Sequence, residues 1–371
     1  MISLDTVLNA YIDANIILAI GAALWAATQV VLRCTPLGHA FGGQLRLLYA
    51  VLTVVGVAPF AVLALWPAVL TLMPGSAAQV NLSDLIVAEY LDGRFTMAPT
   101  TFEALLSLRD TMVRNVTTLG STGGRVIAVV LLLGIGLGVL RTSRNLIRLH
   151  LMIGQSYLWR RTGRVDIRLT EKARIPFSTR GLWRFHVVIP SHMLANPTDL
   201  RIALAHEFQH VRQGDLQWEL GLELLRPLFV FNPAMGFWKR QVETRRELAC
   251  DQRVIRRKKL SAQNYAASLL RVCAHALQDR SGGRQIQPSV ALLQIRGRRN
   301  ERFLRQRVTA MMQSPVVTGS RHWVTALLIP LSLAIGLASV SIQRSGDWTQ
   351  DRLMLSTIVN LERMDLRSRP Q

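Results

Sequence analysis

The sequence predicts an α-helical membrane protein with four transmembrane helices and a mainly helical (α+β) domain containing a small β-hairpin. Three observations predict it. Half of the 371 residues are hydrophobic and the mean hydropathy is +0.24, a balance that suits a large soluble protein or a small membrane protein. The apolar residues are gathered into uncharged runs long enough to cross a bilayer core. The positive charge is gathered elsewhere. Residues 141–321 hold 33 Lys and Arg against 12 Asp and Glu, while the remainder of the chain holds 11 of each.

The runs set the domain boundaries. Ala14–Leu32 and Leu47–Met73 give the first two spans within residues 1–73, joined by a short link carrying Arg33 and Arg46. The first run lacks a basic leader and a small-residue cleavage site, so it reads as a retained span, not a signal peptide. Residues 125–140 form a third span only if Leu119–Gly124 extends it and Arg125 snorkels. Residues 323–342 form the fourth. Cytoplasmic segments are the ones enriched in Lys and Arg. The basic domain, 141–322, is therefore expected in the cytoplasm, with segment 74–124 and the tail 343–371 outside. In the outer segment, Val80–Tyr90 and Phe102–Val113 read as short amphipathic helices, forming a lid on the membrane surface or a ligand sensor. The tail reads as a short helix or a mobile end.

Within the domain, 141–159 reads as a basic helix leaving the membrane. Val165–Leu169 alternates with period two and predicts a strand, and Trp183–Ile189 predicts a second, closed by Pro190. Such a strand could accept an extended peptide along its edge, or the pair could be a plain hairpin. Helices follow over 197–213, 216–228, 233–258 and 262–277. The basic runs Arg253–Lys259 and Arg296–Arg307 permit nucleic-acid binding. With no recognition fold or interleaved aromatics, and with spans on both sides, anionic lipid or solvent is the expected partner. Three scattered cysteines, Cys34, Cys250 and Cys273, fit a reducing compartment. Cys250 matches no thiolate zinc spacing and reads as a small packed residue.

The chemistry is concentrated at His206-Glu207-Phe208-Gln209-His210. On a helix, His206 and His210 project from one face and can hold one zinc ion, with Glu207 beside them as a proton acceptor. The helix setting is strong. Asn196-Pro197 offers a cap, Leu200, Ala203, Leu204, Phe208 and Val211 give a 3.6-residue apolar period, and Gly214 ends it. Downstream, Glu243, Glu247 and Asp251 recur every four residues on one helix face, so one of them can supply a third ligand.

With Gly214-Asp215, Phe231-Asn232-Pro233 and Glu247-Leu248-Ala249-Cys250-Asp251, and spans on both sides, the chain resembles the BlaR/MecR family of integral-membrane zinc metallopeptidases, which are gluzincin-like. The resemblance implies one zinc ion on His206, His210 and Glu247, with Glu243 the competitor for third ligand, and Asp251 orienting the histidines from behind. It implies Glu207 as catalytic base. It also implies a multi-pass protein of the bacterial inner membrane with its catalytic domain in the cytoplasm. The substrate would be a cytosolic or membrane-proximal protein cleaved in signal transduction, such as a transcriptional repressor, or the chain itself within 285–307, taken as the link to the last span. The antibiotic-sensing members carry a penicillin-binding domain after the last span; the tail here is too short for one, so sensing would fall to the outer segment, the spans or a partner protein. The alternative is a noncatalytic receptor or scaffold that keeps zinc for structure.

Overall fold

The computed structural model describes residues 4–72, 82–94, 97–181, 183–278, 298–313, 322–342 and 350–368. Four of its helices are long and apolar enough to cross a membrane: α1 (Leu4–Arg33), α2 (Phe41–Leu72, apolar over Phe41–Val62), α5 (Thr122–Gly154) and α11 (His322–Ile342). The short third run becomes the middle of α5, because the helix takes in Thr122–Gly124 and continues through the basic residues beyond Leu140. Its apolar side chains stay open, with Leu132 72% and Leu137 65% exposed, as expected where lipid replaces water. Pro330 lies inside α11, a position tolerated more readily in membrane helices.

The chain divides into two compact units. The first comprises residues 1–24, 50–133 and 327–371. It contains α3 (Leu82–Leu91), α4 (Pro99–Thr117) and α12 (Gln350–Ser368). Val87, Phe102, Leu355 and Val359 form their shared buried cluster, and Tyr90 stacks on Phe102 with centroids 4.0 Å apart. Glu362 accepts the backbone N–H of Thr100 at 2.9 Å, close to the start of α4, where carboxylates favour the helix dipole. The tail is therefore neither free nor independent. Its helix shares a core with α3 and α4.

The second unit, residues 25–49 and 134–326, holds the sheet and the remaining helices. The strands are β1 (Tyr157–Thr162), β2 (Val165–Thr170), β3 (Phe177–Arg180) and β4 (Phe185–Pro190), in spatial order β1-β2-β4-β3. β1 and β2 form a hairpin through a turn in which Gly163 has φ +58°, a left-handed conformation favourable to glycine. β3 and β4 are also antiparallel. The two strands read from alternation, β2 and β4, pair parallel, with Ile167 opposite Val187. They are not the two arms of one hairpin. Both are central, so neither has a free edge for an added peptide; β1 and β3 are the edges. The basic helix expected to reach residue 159 stops at Gly154, because Tyr157 onward pairs with β2.

One sheet face, with Val165, Ile167, Val187 and Ile189, packs on Leu200, Ala203, Leu204, Phe208 and Val211 of α6 (Pro197–Gln213). The other buries Phe177 and Val188 against Leu149, Met152 and Ile153 at the end of α5. Around α6 lie α7 (Asp215–Leu225), α8 (Pro233–Lys258) and α9 (Ala262–Gln278), and beyond them α10 (Arg298–Gln313). α10 packs on α8 and α9, so residues 298–313 belong to this unit and are not a linker to the last span. Of the expected cleavage link, 285–297 lie outside the described residues.

Candidate metal centre

α6 begins where Asn196 accepts a hydrogen bond from the Asp199 N–H, and ends at Gly214 with φ +74°. α8 begins where the Asn232 side chain accepts from the Ala234 N–H at 3.0 Å. These caps fix where the two helices start, and the packing of α8 on α6 fixes which faces meet. As a result His206, Glu207 and His210 of α6 and Glu247 and Asp251 of α8 are all buried, between 1% and 8% exposed. Glu243, one turn before Glu247, is turned away. It keeps a third of its side chain exposed and lies 3.9 Å from Lys239.

The imidazole contacts fix the tautomers. Tyr265 on α9 donates its hydroxyl to Asp251 Oδ1 at 2.9 Å and lies 2.8 Å from His206 Nδ1. A hydroxyl that donates to Asp251 must accept from His206, so Nδ1 carries the proton. His210 Nδ1 lies 2.9 Å from Asp215 Oδ2; an ionised carboxylate only accepts, so this Nδ1 is protonated too. Both Nε2 atoms then bear lone pairs, yet they face each other at 3.1 Å. Two acceptors at that distance need a proton or a metal ion between them.

Glu247 closes the triangle. One carboxylate oxygen lies 3.4 Å from His206 Nε2 and the other 3.5 Å from His210 Nε2. Tetrahedral bonds of about 2.1 Å place neighbouring donors about 3.4 Å apart. The two contacts to Glu247, one through each oxygen, match that spacing, and the Nε2–Nε2 edge is shorter at 3.1 Å. Oε2 of Glu207 is buried without a hydrogen-bond partner, a state that calls for a ligand, while Oε2 of Glu247 is shared with Arg307 at 3.1 Å. The donors fit a divalent metal ion.

Cys250 is the competing donor, since its sulfur and nitrogens of both histidines lie within 4.8 Å of one another. Its Sγ, however, lies 3.5 Å from His206 Nδ1 and 3.5 Å from the His206 carbonyl oxygen. That is the protonated edge of the ring. The set of Glu247 with two Nε2 atoms is therefore preferred on geometry.

Burial works against charge throughout the centre, and the neighbours overcome it. Burial opposes protonation of His210, but Cys250 and Glu247 bring its pKa up to about 10. Burial raises Asp251, but Arg307 and His206 bring it down to about 2. Arg307 and the histidines likewise hold Glu247 well below the usual carboxylate range, against burial. The surroundings thus favour positive charge at the imidazoles, a demand a bound metal ion would meet.

A family model described as BlaR1 peptidase M56 matches residues 44–298. The chain belongs to this family. That membership, with the four apolar helices, makes it a membrane protein of a metallopeptidase family. No curated protein matches the chain.

The structure brings His206, His210, Glu247 and Asp251 into contact, buries Glu207, and adds three residues. Asp215 follows the helix-ending glycine and sits 0% exposed behind His210; it was visible as part of Gly214-Asp215, without a role. Tyr265 lies on an amphipathic helix and gave no local signal. Arg307 reaches Asp251 through two bonds of 2.7 and 2.8 Å and Glu247 Oε2 at 3.1 Å. Its basic run is expected as lipid-facing or solvated surface; Arg302 and Arg305 are exposed, while Arg307 is buried. The available signal was periodicity: Phe303, Leu304, Arg307, Val308 and Met311 share one helical stripe, and a lone charge on an apolar stripe marks a buried pair. His186 lies 3.9 Å from Asp166, and His192 packs on His275, contacts outside the centre.

Proposed function

We propose that this chain is a membrane-embedded zinc endopeptidase acting on a protein at the cytoplasmic face. The observation that carries the reading is the two Nε2 atoms facing each other at 3.1 Å beside the Glu247 carboxylate, with buried Glu207 following His206 in the chain, its Oε2 without a hydrogen-bond partner. His206, His210 and Glu247 would hold the ion; two histidines and one carboxylate are a catalytic zinc set that leaves a position open. Bound there, zinc would supply Lewis acidity to the scissile carbonyl and to the attacking water.

The protein's own groups do the rest. Glu207 accepts the proton of the attacking water and delivers it to the leaving amine. Asp215 and the Asp251–Tyr265 pair hold each imidazole in the tautomer that presents Nε2. A noncatalytic zinc scaffold would have no use for a buried, unpartnered carboxylate at Glu207, which costs stability unless it serves chemistry.

Purified chain should degrade an unfolded protein such as casein, stop when a zinc chelator is added, and resume on return of zinc. Cleavage indifferent to the chelator would overturn the reading. The basic domain is assigned to the cytoplasm by charge. Reporter fusions after Gly43, Gly163 and Ser261 should report the cytoplasm, and those after Gly93 and Gly346 the outside. A cytoplasmic signal at Gly93 would reverse the placement. In the signalling role that the family resemblance suggests, the substrate is a cytosolic repressor or the chain itself.

A further inference from the structure

We infer that Arg307 is a positioning residue of the metal centre: from α10 it grips Asp251 and Glu247 together and so fixes the carboxylate that faces the two histidines. The inference rests on the zinc peptidase reading for its readout and on geometry for its content. Arg307 is 7% exposed, and a buried guanidinium persists only when paired. Its Nε and Nη2 take both oxygens of Asp251, at 2.8 and 2.7 Å, while Nη1 lies 3.1 Å from Glu247 Oε2. A guanidinium is planar, so these three nitrogens cannot move independently. The two acids, one turn apart on α8, are thereby tied to one rigid fork.

The tie reaches both histidines. Asp251 holds Tyr265, which meets His206 Nδ1, and Glu247 faces both Nε2 atoms. A second arginine, Arg246, approaches the other Glu247 oxygen at 3.4 Å and is itself held by Glu219 at 2.6 Å. Arg246 belongs to α8 and accompanies Glu247 wherever that helix goes. Arg307 comes from a separate helix, 56 residues beyond Asp251, and past residue 298, where the family match ends. The centre is therefore completed by a helix outside that match. α10, Arg298–Gln313, is the described helix that precedes α11, His322–Ile342, in the chain.

The test uses full-length purified chain and measures zinc affinity by competition with a chromophoric chelator, alongside melting of the zinc-free forms. Arg307→Met should bind zinc about 10- to 100-fold more weakly, the loss typical of an outer partner of a metal ligand. Arg307→Lys should recover only part, because an ammonium restores charge without the fork. An Arg307→Met chain that melts like the parent and binds zinc as tightly would overturn the inference. If that variant does not fold, Arg307→Met is compared within an Asp251→Asn background, where no carboxylate is stranded at Asp251. There the double variant should bind zinc at least about 10-fold more weakly than Asp251→Asn alone; equal affinity would overturn it. A parent that binds zinc but hydrolyses nothing would sink the peptidase reading, and the affinity ratios would still decide the role of Arg307.

Discussion

Glu207→Gln keeps its bound metal and loses peptide hydrolysis by about 100- to 10,000-fold, the usual worth of a general base. Gln matches Glu in size, so the 3%-exposed site does not need to repack. The amide cannot take a proton from the attacking water, and its nitrogen donates where the carboxylate accepted. The neighbouring donors are untouched: His206 Nδ1 remains on Tyr265, His210 Nδ1 on Asp215, and the Nε2 atoms 3.1 Å apart. Metal analysis and a rate measurement on the same preparation check both halves. Hydrolysis at the parental rate would remove Glu207 from the chemistry. Loss of metal together with activity would instead make it a ligand.

Removing the ion should destabilise the protein by about 4 kcal/mol when free zinc stands 1,000-fold above its dissociation constant, because binding to the folded state alone contributes RT ln(1 + [L]/Kd). The residue that carries this response identifies the third ligand. Glu247→Gln should melt the same with and without zinc, since an amide replaces the carboxylate lying 3.4 and 3.5 Å from the two Nε2 atoms. Glu243→Gln should respond like the parent, because Glu243 faces Lys239. Cys250→Ala should respond like the parent too, because Sγ sits at the protonated edge of His206. A zinc response retained in Glu247→Gln and lost in either of the others would reassign the ligand to that residue.

Much of the local order was legible from neighbours in the chain. Asn196-Pro197 and Gly214 bound α6, and Asn232-Pro233 starts α8. Caps and apolar periods are short-range properties: they depend on residues within about one or two helical turns. The same holds for the apolar helices, whose length and lack of charge suffice to mark them. The position of His206, Glu207 and His210 on one face follows from helical geometry alone.

What the sequence left open required the third dimension. Glu243, Glu247 and Asp251 share a face, and only the packing of α8 on α6 decides which turn lies level with the histidines. β2 and β4 were both visible as strands, but their parallel pairing and central place depend on β1 and β3, whose patterns are weak because β1 is exposed along most of its length. The tail helix and the outer helices each looked marginal because each lacks a core; they share one. Arg307 stands among other arginines; its apolar stripe marks it for burial, but nothing along the chain names its partners. Its partners lie 56 and 60 positions away, and Coulomb interaction follows distance in space rather than position in sequence. Sequence by itself determined the membrane helices, the α6 motif and the acids that could complete it. Tertiary packing alone decided which acid meets the two Nε2 atoms, and which arginine holds it there.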